Sequence, residues 1–221
     1  MATINLIDPS FDILTPISEN GIEELKMIET IGRTCYKSES KGTDKTEAFV
    51  KGLITRGHEA MLEHSNLSVK FVCDRGVSHE IVRHREASFA QESTRYCNYA
   101  SDKYQDCITY IKPHWYDNAS YNTKMTFRKH LEACTNLYMY YVNDVGMKPQ
   151  DARAILPNAL KTEVVVTANF REWRHILNLR AADATGPAHP DMKAIMCPLL
   201  EALHDKINVV FDDIYERMIE K

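Results

Sequence analysis

The chain has 221 residues, with 27 Lys+Arg against 31 Asp+Glu and a net charge of −4. That balance argues against a general nucleic-acid coat or a membrane-surface binder, and the length suits one sizeable core, so a single domain over 1–221 is expected. No signal peptide or bilayer-spanning run is evident, and six scattered cysteines without a C-x-x-C suit free thiols in a reducing, cytoplasmic setting, with no metal centre and no nucleic-acid or membrane partner.

Residues 21–40, GIEELKMIETIGRTCYKSES, set Leu25, Ile28 and Ile31 at helical spacing behind a polar SEN lead-in. TEAFVKGLITRG predicts a second helix ending near Gly57. LSVKFVC alternates Leu67, Val69, Phe71 and Cys73 with more polar neighbours, as a strand does. GVSHEIVRHR starts a short helix expected to deliver Arg83 and Arg85 to its end, and QDCITYI is a strand closed by Pro113. From Asn122 to Val145 the residues Phe127, Leu131, Cys134, Tyr138, Tyr141 and Val145 draw one stripe along a long amphipathic helix. A strand over 162–168 follows Pro157, then a helix over NFREWRHILNLR. The final helix, 190–219, carries Ile195, Leu199, Leu203, Ile207, Val210, Ile214 and Met218, with Pro198 placed to kink it. Helices outnumber strands and do not separate them regularly. The expected class is α+β, with long helices packed on a small, largely antiparallel sheet.

The arginines are distributed unevenly. Residues 75–95 and 153–180 hold eight of the 12 (Arg75, Arg83, Arg85, Arg95, Arg153, Arg171, Arg174 and Arg180) but only one lysine, Lys161. Solubility alone does not favour Arg over Lys, whereas a planar fork that grips phosphate or a carbonyl edge does. The bland explanation is a set of structural ion pairs with Glu80, Glu86, Glu92, Asp151, Glu163 and Glu172, and it suits Arg75 and Arg174 best. There is no G-x-G-x-x-G and no P-loop, so phosphates bound here must be held by arginine forks and helix ends.

Other constellations carry less. In HEAMLEH (58–64) the second His falls six residues after the first, which does not fit the four-residue spacing of a zinc helix. Ser93 lacks a nucleophile elbow and reads as a hydrogen-bonding serine beside an anion. Tyr138, Tyr140 and Tyr141 read as helix packing.

Four blocks resemble one family. Arg83-His84-Arg85, seven residues, then Ser93 and S-x-R-Y through Tyr96 are similar to the signature of flavin-dependent thymidylate synthases. G-H-E-x-x-x-E-H at Gly57–His64, A-R-x-x-L-P at Ala152–Pro157 and N-F-R-E-W-R-H-x-L-x-L-R at Asn169–Arg180 extend the likeness over about 57–190. The resemblance implies a mixed α/β subunit in a homotetramer, with active sites at subunit interfaces. It also implies reductive methylation of dUMP to dTMP. The carbon would come from 5,10-methylenetetrahydrofolate and the reducing equivalents from NADPH through FAD, leaving tetrahydrofolate. By position, Arg83, His84, Arg85, Asn169, Arg171 and His175 would contact FAD, with His58 nearby and Gln91 counted with them. The loop Gln91, Glu92, Ser93, Thr94 and Arg95, with Arg83 and Arg153, would cradle dUMP. Arg180 would sit at the pyrimidine edge as the catalytic residue, favouring ionisation at N3 and activating C5.

The residues are compatible with those roles. FAD and dUMP together carry three phosphates, which suits an arginine-dense, lysine-poor region, and an always-charged guanidinium suits charge developing on a ring. The chain departs from the family's pattern at Ala60, where Ser or Thr is common, at Glu80, where Gln is frequent, and at Ala90-Gln91, which replace an Asn-Glu pair. Two rival readings are another flavoprotein reductase and a noncatalytic arginine-rich module that binds a nucleotide or RNA; a flavin spectrum in the purified protein would remove the second.

Overall fold

The computed structural model describes residues 2–39, 42 and 45–220, with Tyr36 described by its backbone alone. The strands are β1 (Thr3–Ile7), β2 (Ser10–Ile13), β3 (Asn66–Asp74), β4 (Ala87–Gln91), β5 (Cys107–Ile111) and β6 (Lys161–Asn169). The α-helices are α1 (Ile22–Tyr36), α2 (Thr46–Thr55), α3 (Arg75–Ile81), α4 (Tyr121–Asn143), α5 (Pro149–Ala152), α6 (Phe170–Arg180) and α7 (Pro190–Ile219). The mixed α/β class agrees with expectation. Ser40, the last residue of the first expected helix, lies outside the described residues.

The strands form a four-stranded sheet, in the order β2-β3-β6-β4, and a two-stranded sheet of β1 and β5. In β3 alternate residues Leu67, Val69, Phe71 and Cys73 are buried, and in β6 Thr162, Val164, Val166 and Ala168 are. This period of two is what made β3 legible. β1 and β5 are parallel, with Thr3 opposite Cys107 and Ile7 opposite Ile111. That corrects the antiparallel expectation for this sheet: a pairing across about a hundred residues leaves no local turn signal. β1, β2 and β4 were not anticipated. The sequence of β4, ASFAQ, has no β-branched residue, and its neighbour in the sheet, β6, supplies the pairing its own propensity does not.

The chain divides into two compact units, each discontinuous in sequence. The first comprises 1–10, 71–83 and 90–164. Its core gathers Tyr99, Ile108, Tyr110, Leu131, Tyr138 and Met139 from β5, α4 and the loop before them. α4 begins where Ser120 accepts from the backbone of Thr123, and its stripe buries Leu131 and Tyr138, with Phe127 and Tyr141 partly buried. Val145 falls beyond the helix end and is 48% exposed. Burial pushes the Tyr110 hydroxyl up to about 12, and it meets Thr135 at 2.8 Å.

The second unit comprises 11–70, 84–89 and 165–221. α1 enters through Gly21 at φ +65°, where an added Cβ would lie 2.5 Å from Ile207 Cγ1, so only glycine fits. α6 is capped by Asn169, which accepts from Glu172 N at 2.8 Å, and Trp173 is locked by donating to Leu67 O at 2.9 Å. The long apolar stripe of α7 is buried from Ile195 through Ile214, as its spacing predicts. The helix breaks at Ile207 (φ −153°, ψ 64°) and not at Pro198. The break falls where α7 meets the Gly21 turn, a tertiary contact that no local breaker marks.

Candidate active site

The R-H-R-x7-S stretch is shared between the two units. Arg83 belongs to the first, residues 84–89 to the second, and 90–95 to the first again. α3 stops at Ile81, short of the arginines it was expected to carry, and Arg83 and Arg85 are both exposed.

In the second unit the motif residues converge on His84, which is only 8% exposed. Arg180 Nε donates to His84 Nε2 at 3.2 Å. On the other edge of the ring, His84 Nδ1 lies 3.8 Å from Glu172 Oε1. His175 stands edge-on to His84, its ring 6.1 Å away. Glu172, His175 and Arg180 all come from α6. Burial raises the Glu172 pKa, His175 opposes the shift and Glu86 adds to it. His84, Glu172 and His175 hold ligand-type atoms within 4.8 Å of one another, an arrangement that could take a metal ion. The neighbouring Arg180 cation works against a cation at that ring.

Beside this cluster lies a cavity of about 610 Å³, whose lining includes Asn169, Arg171, Glu172, His175, Asn178 and Arg217. Its lining takes in the N-terminal end of α6, with Asn169 and an exposed Arg171, and a helix N-terminus favours an anion. Arg171 is paired with Glu63. Arg174 is a different case: it is 6% exposed and held by Glu59, by both carboxylate oxygens of Asp213 and by the carbonyl of Val210. Burial alone would lower its pKa; the Asp213 and Glu59 carboxylates outweigh that and raise it. Arg174 is therefore structural, as the bland explanation had it, though its partners differ from those expected.

His58 is exposed and lines a separate cavity of about 220 Å³ with Gly32, Cys35, Leu53, Ala60 and Met61. His58 caps the start of a 3₁₀ helix over Glu59–His64, and His64 is its last residue. Six residues at that rise set them about 12 Å apart along its axis, too far to share an ion.

In the first unit the 91–95 loop is tied down side chain by side chain. Gln91 donates to Ser78 Oγ at 2.9 Å and Thr162 Oγ1 at 3.3 Å. Arg75 Nη1 reaches the Glu92 carbonyl and Thr162, both at 3.4 Å. Glu92 takes Lys161 on one oxygen (3.1 Å) and the Tyr99 hydroxyl on the other (3.3 Å). Burial, then the Glu92 charge, pushes the Tyr99 hydroxyl well above its ordinary value. Arg153 donates to Thr94 at 3.0 Å, and Arg95 to Gln150 at 3.2 Å. Ser93 Oγ accepts from Arg95 N at 3.3 Å, the contact of a positioning hydroxyl. Arg75, His79, Thr94 and Arg153 border a cavity of about 340 Å³.

The expected residues thus divide between the units: His58, His84, Arg85, Asn169, Arg171, His175 and Arg180 in the second, and Arg83, Gln91, Glu92, Ser93, Thr94, Arg95 and Arg153 in the first. Sequence reasoning did not give Glu172, Arg75 or Lys161 a role at the site. The three-residue step from Glu172 to His175, one face of a helix, was the available signal for the first.

A profile of the family described as thymidylate synthase complementing protein matches residues 20–207. A flavin-dependent thymidylate synthase of Corynebacterium aurimucosum is 30% identical over 217 residues, covering 90% of this chain and 83% of its own. One of Mycobacterium avium is 32% identical over 203 residues, covering 85% and 78%. Among solved structures, the UMP/dUMP methylase PolB from Streptomyces cacaoi bound with 5-Br UMP has a TM-score of 0.75 over 97% of each chain at 17% identity, a likeness of fold.

Proposed function

The chain belongs to the thymidylate synthase complementing protein family, and we propose that it is a flavin-dependent thymidylate synthase that methylates dUMP to dTMP. The observation that carries this reading is the buried His84 held by Arg180 and flanked by Glu172 and His175, in a chain whose family match spans all four motif blocks.

The residues present suit FAD. The cavity beside α6 has the size of a ligand site and offers a helix N-terminus, the Asn169 amide, Arg171 and His175, which are donors for phosphate and for ring carbonyls. Three of the acidic groups that share it are already engaged, Glu63 by Arg171 and Glu59 and Asp213 by Arg174, while Glu86 and Glu172 also line it. Asn169, Arg171, His84 and His175 would hold the cofactor, with Arg83, Arg85, His58 and Gln91 assigned to it by the family pattern. When bound, FAD supplies the reducing equivalents, with NADPH as their source and 5,10-methylenetetrahydrofolate as the carbon donor.

For dUMP, the 91–95 loop and Arg153 supply hydroxyl, backbone and guanidinium donors, with Arg83 assigned to the same ligand. The network of Gln91, Arg75 and Lys161 holds that loop before substrate arrives, which reduces the ordering that binding must impose. Arg180 is assigned to the pyrimidine edge. Its fixed charge stabilises negative charge that develops on the ring, and unlike a lysine it is not neutralised by burial. A homotetramer with sites shared between subunits completes the reading.

Anaerobic incubation of the FAD-loaded chain with dUMP, methylenetetrahydrofolate and NADPH should yield dTMP. No dTMP from a chain shown to bind FAD would remove the assignment.

A further inference from the structure

His84 stands between two groups that make different demands on its ring. The Nε of Arg180 carries a hydrogen and no acceptor lone pair, so its 3.2 Å contact makes His84 Nε2 the acceptor. A neutral imidazole that accepts at Nε2 carries its proton on Nδ1. Nδ1 faces Glu172 Oε1 at 3.8 Å, and the two side chains are 7% and 11% exposed. Glu172 lies in the first turn of α6 and Arg180 is its last residue. One rigid helix therefore sets both the carboxylate and the guanidinium against the same ring.

We propose that Glu172 is a positioning residue, which selects the Nδ1–H tautomer of His84 and so fixes the plane of the Arg180 guanidinium. This deepens the assignment of Arg180 to the pyrimidine and rests on it. Loss of the carboxylate would open the tautomer with its proton on Nε2. Two N–H groups would then face each other, and Arg180 would swing away from the ring. Anchoring Nε matters because a guanidinium is planar, so holding one nitrogen fixes the plane in which the other two donate. The role also accounts for a carboxylate kept at a site where burial opposes its charge.

The test reads the tautomer directly, by long-range ¹H–¹⁵N spectra of the ring nitrogens in labelled protein, with His84 identified by the signal lost in His84→Gln. Wild type is expected to show a protonated Nδ1 and an unprotonated Nε2. Glu172→Gln, whose amide oxygen still presents negative partial charge to Nδ1, should keep that pattern. Glu172→Met should populate the Nε2–H form. At saturating FAD and dUMP, Glu172→Met should lower kcat for dTMP by about 10-fold or more, the scale for removing a group that orients a functional histidine. Wild-type His84 protonated at Nε2, a Glu172→Met spectrum like wild type, or an unchanged kcat would each overturn the proposal. Wild-type protein that makes no dTMP would instead overturn the functional reading, and the spectra would then decide the tautomer arrangement alone.

Discussion

Three side chains on α6 show how little residue type says about role. Arg171, Arg174 and Arg180 share one helix and one charge, yet the first is exposed at a cavity, the second is sealed in ion pairs and the third donates to a buried histidine. Arg180→Lys should keep FAD bound and reducible but lose about 10²-fold in dTMP formation, as removal of one preorganised contact does. A single anaerobic turnover that follows flavin reoxidation checks this, and a wild-type rate would make Arg180 structural. Arg174→Ala should act on stability instead: stripping the cation from Glu59 and Asp213 should cost about 3 kcal/mol in urea unfolding. Glu172 adds a pH signature. Its pKa is raised above the ordinary 4.5, chiefly by burial, so the folded state holds its proton more tightly than the unfolded state. Its contribution to stability therefore falls as pH rises from about 4.5. Glu172→Gln should unfold at higher denaturant than wild type at neutral pH, with the gain disappearing below that value. A gain that grew on acidification would reverse the sign assigned to this group.

At the scale of elements, the helices with long apolar stripes formed where their periodicity put them, and burial explains why. α4 buries Leu131 and Tyr138, and α7 buries its stripe from Ile195 to Ile214, about five turns, so each stripe reports the face that must leave water. The ends obey other forces. α7 breaks at Ile207, whose side chain packs on the left-handed Gly21 turn at the start of α1. Gly21→Ala combines a clash with a φ of +65° and should cost about 1–3 kcal/mol. Comparing urea midpoints at constant m-value measures it, and an unchanged midpoint would show that the α1–α7 contact yields easily.

For the molecule as a whole, the two compact units each take part of the signature, and the family match from 20 to 207 runs through both. No described helix is long and apolar enough to cross a membrane. The six cysteines are free thiols, and the buried Cys73 has its pKa pushed up to about 12 by burial, which makes it a core residue and not a nucleophile. The homotetramer proposed for this chain gives a plain expectation: light scattering at micromolar concentration should report about four times the 25.4 kDa subunit. A fully active monomer would remove shared sites from the reading.

What the amino-acid order settled by itself was local or motif-borne. Amphipathic stripes announced α1, α4 and α7, strict alternation announced β3, a valine run after Pro157 announced β6, and the blocks around Arg83, Ala152 and Asn169 pointed to the family. Each of these signals needs only neighbours within a few turns of chain. The tertiary structure alone decided which arginines are structural, that β1 pairs in parallel with β5, that ASFAQ is a strand, and that Glu172 faces His84 across 88 positions of sequence. These outcomes depend on which distant segment shares a residue's desolvated surroundings. Burial and long-range pairing set partner, tautomer and charge there, and no local pattern encodes them.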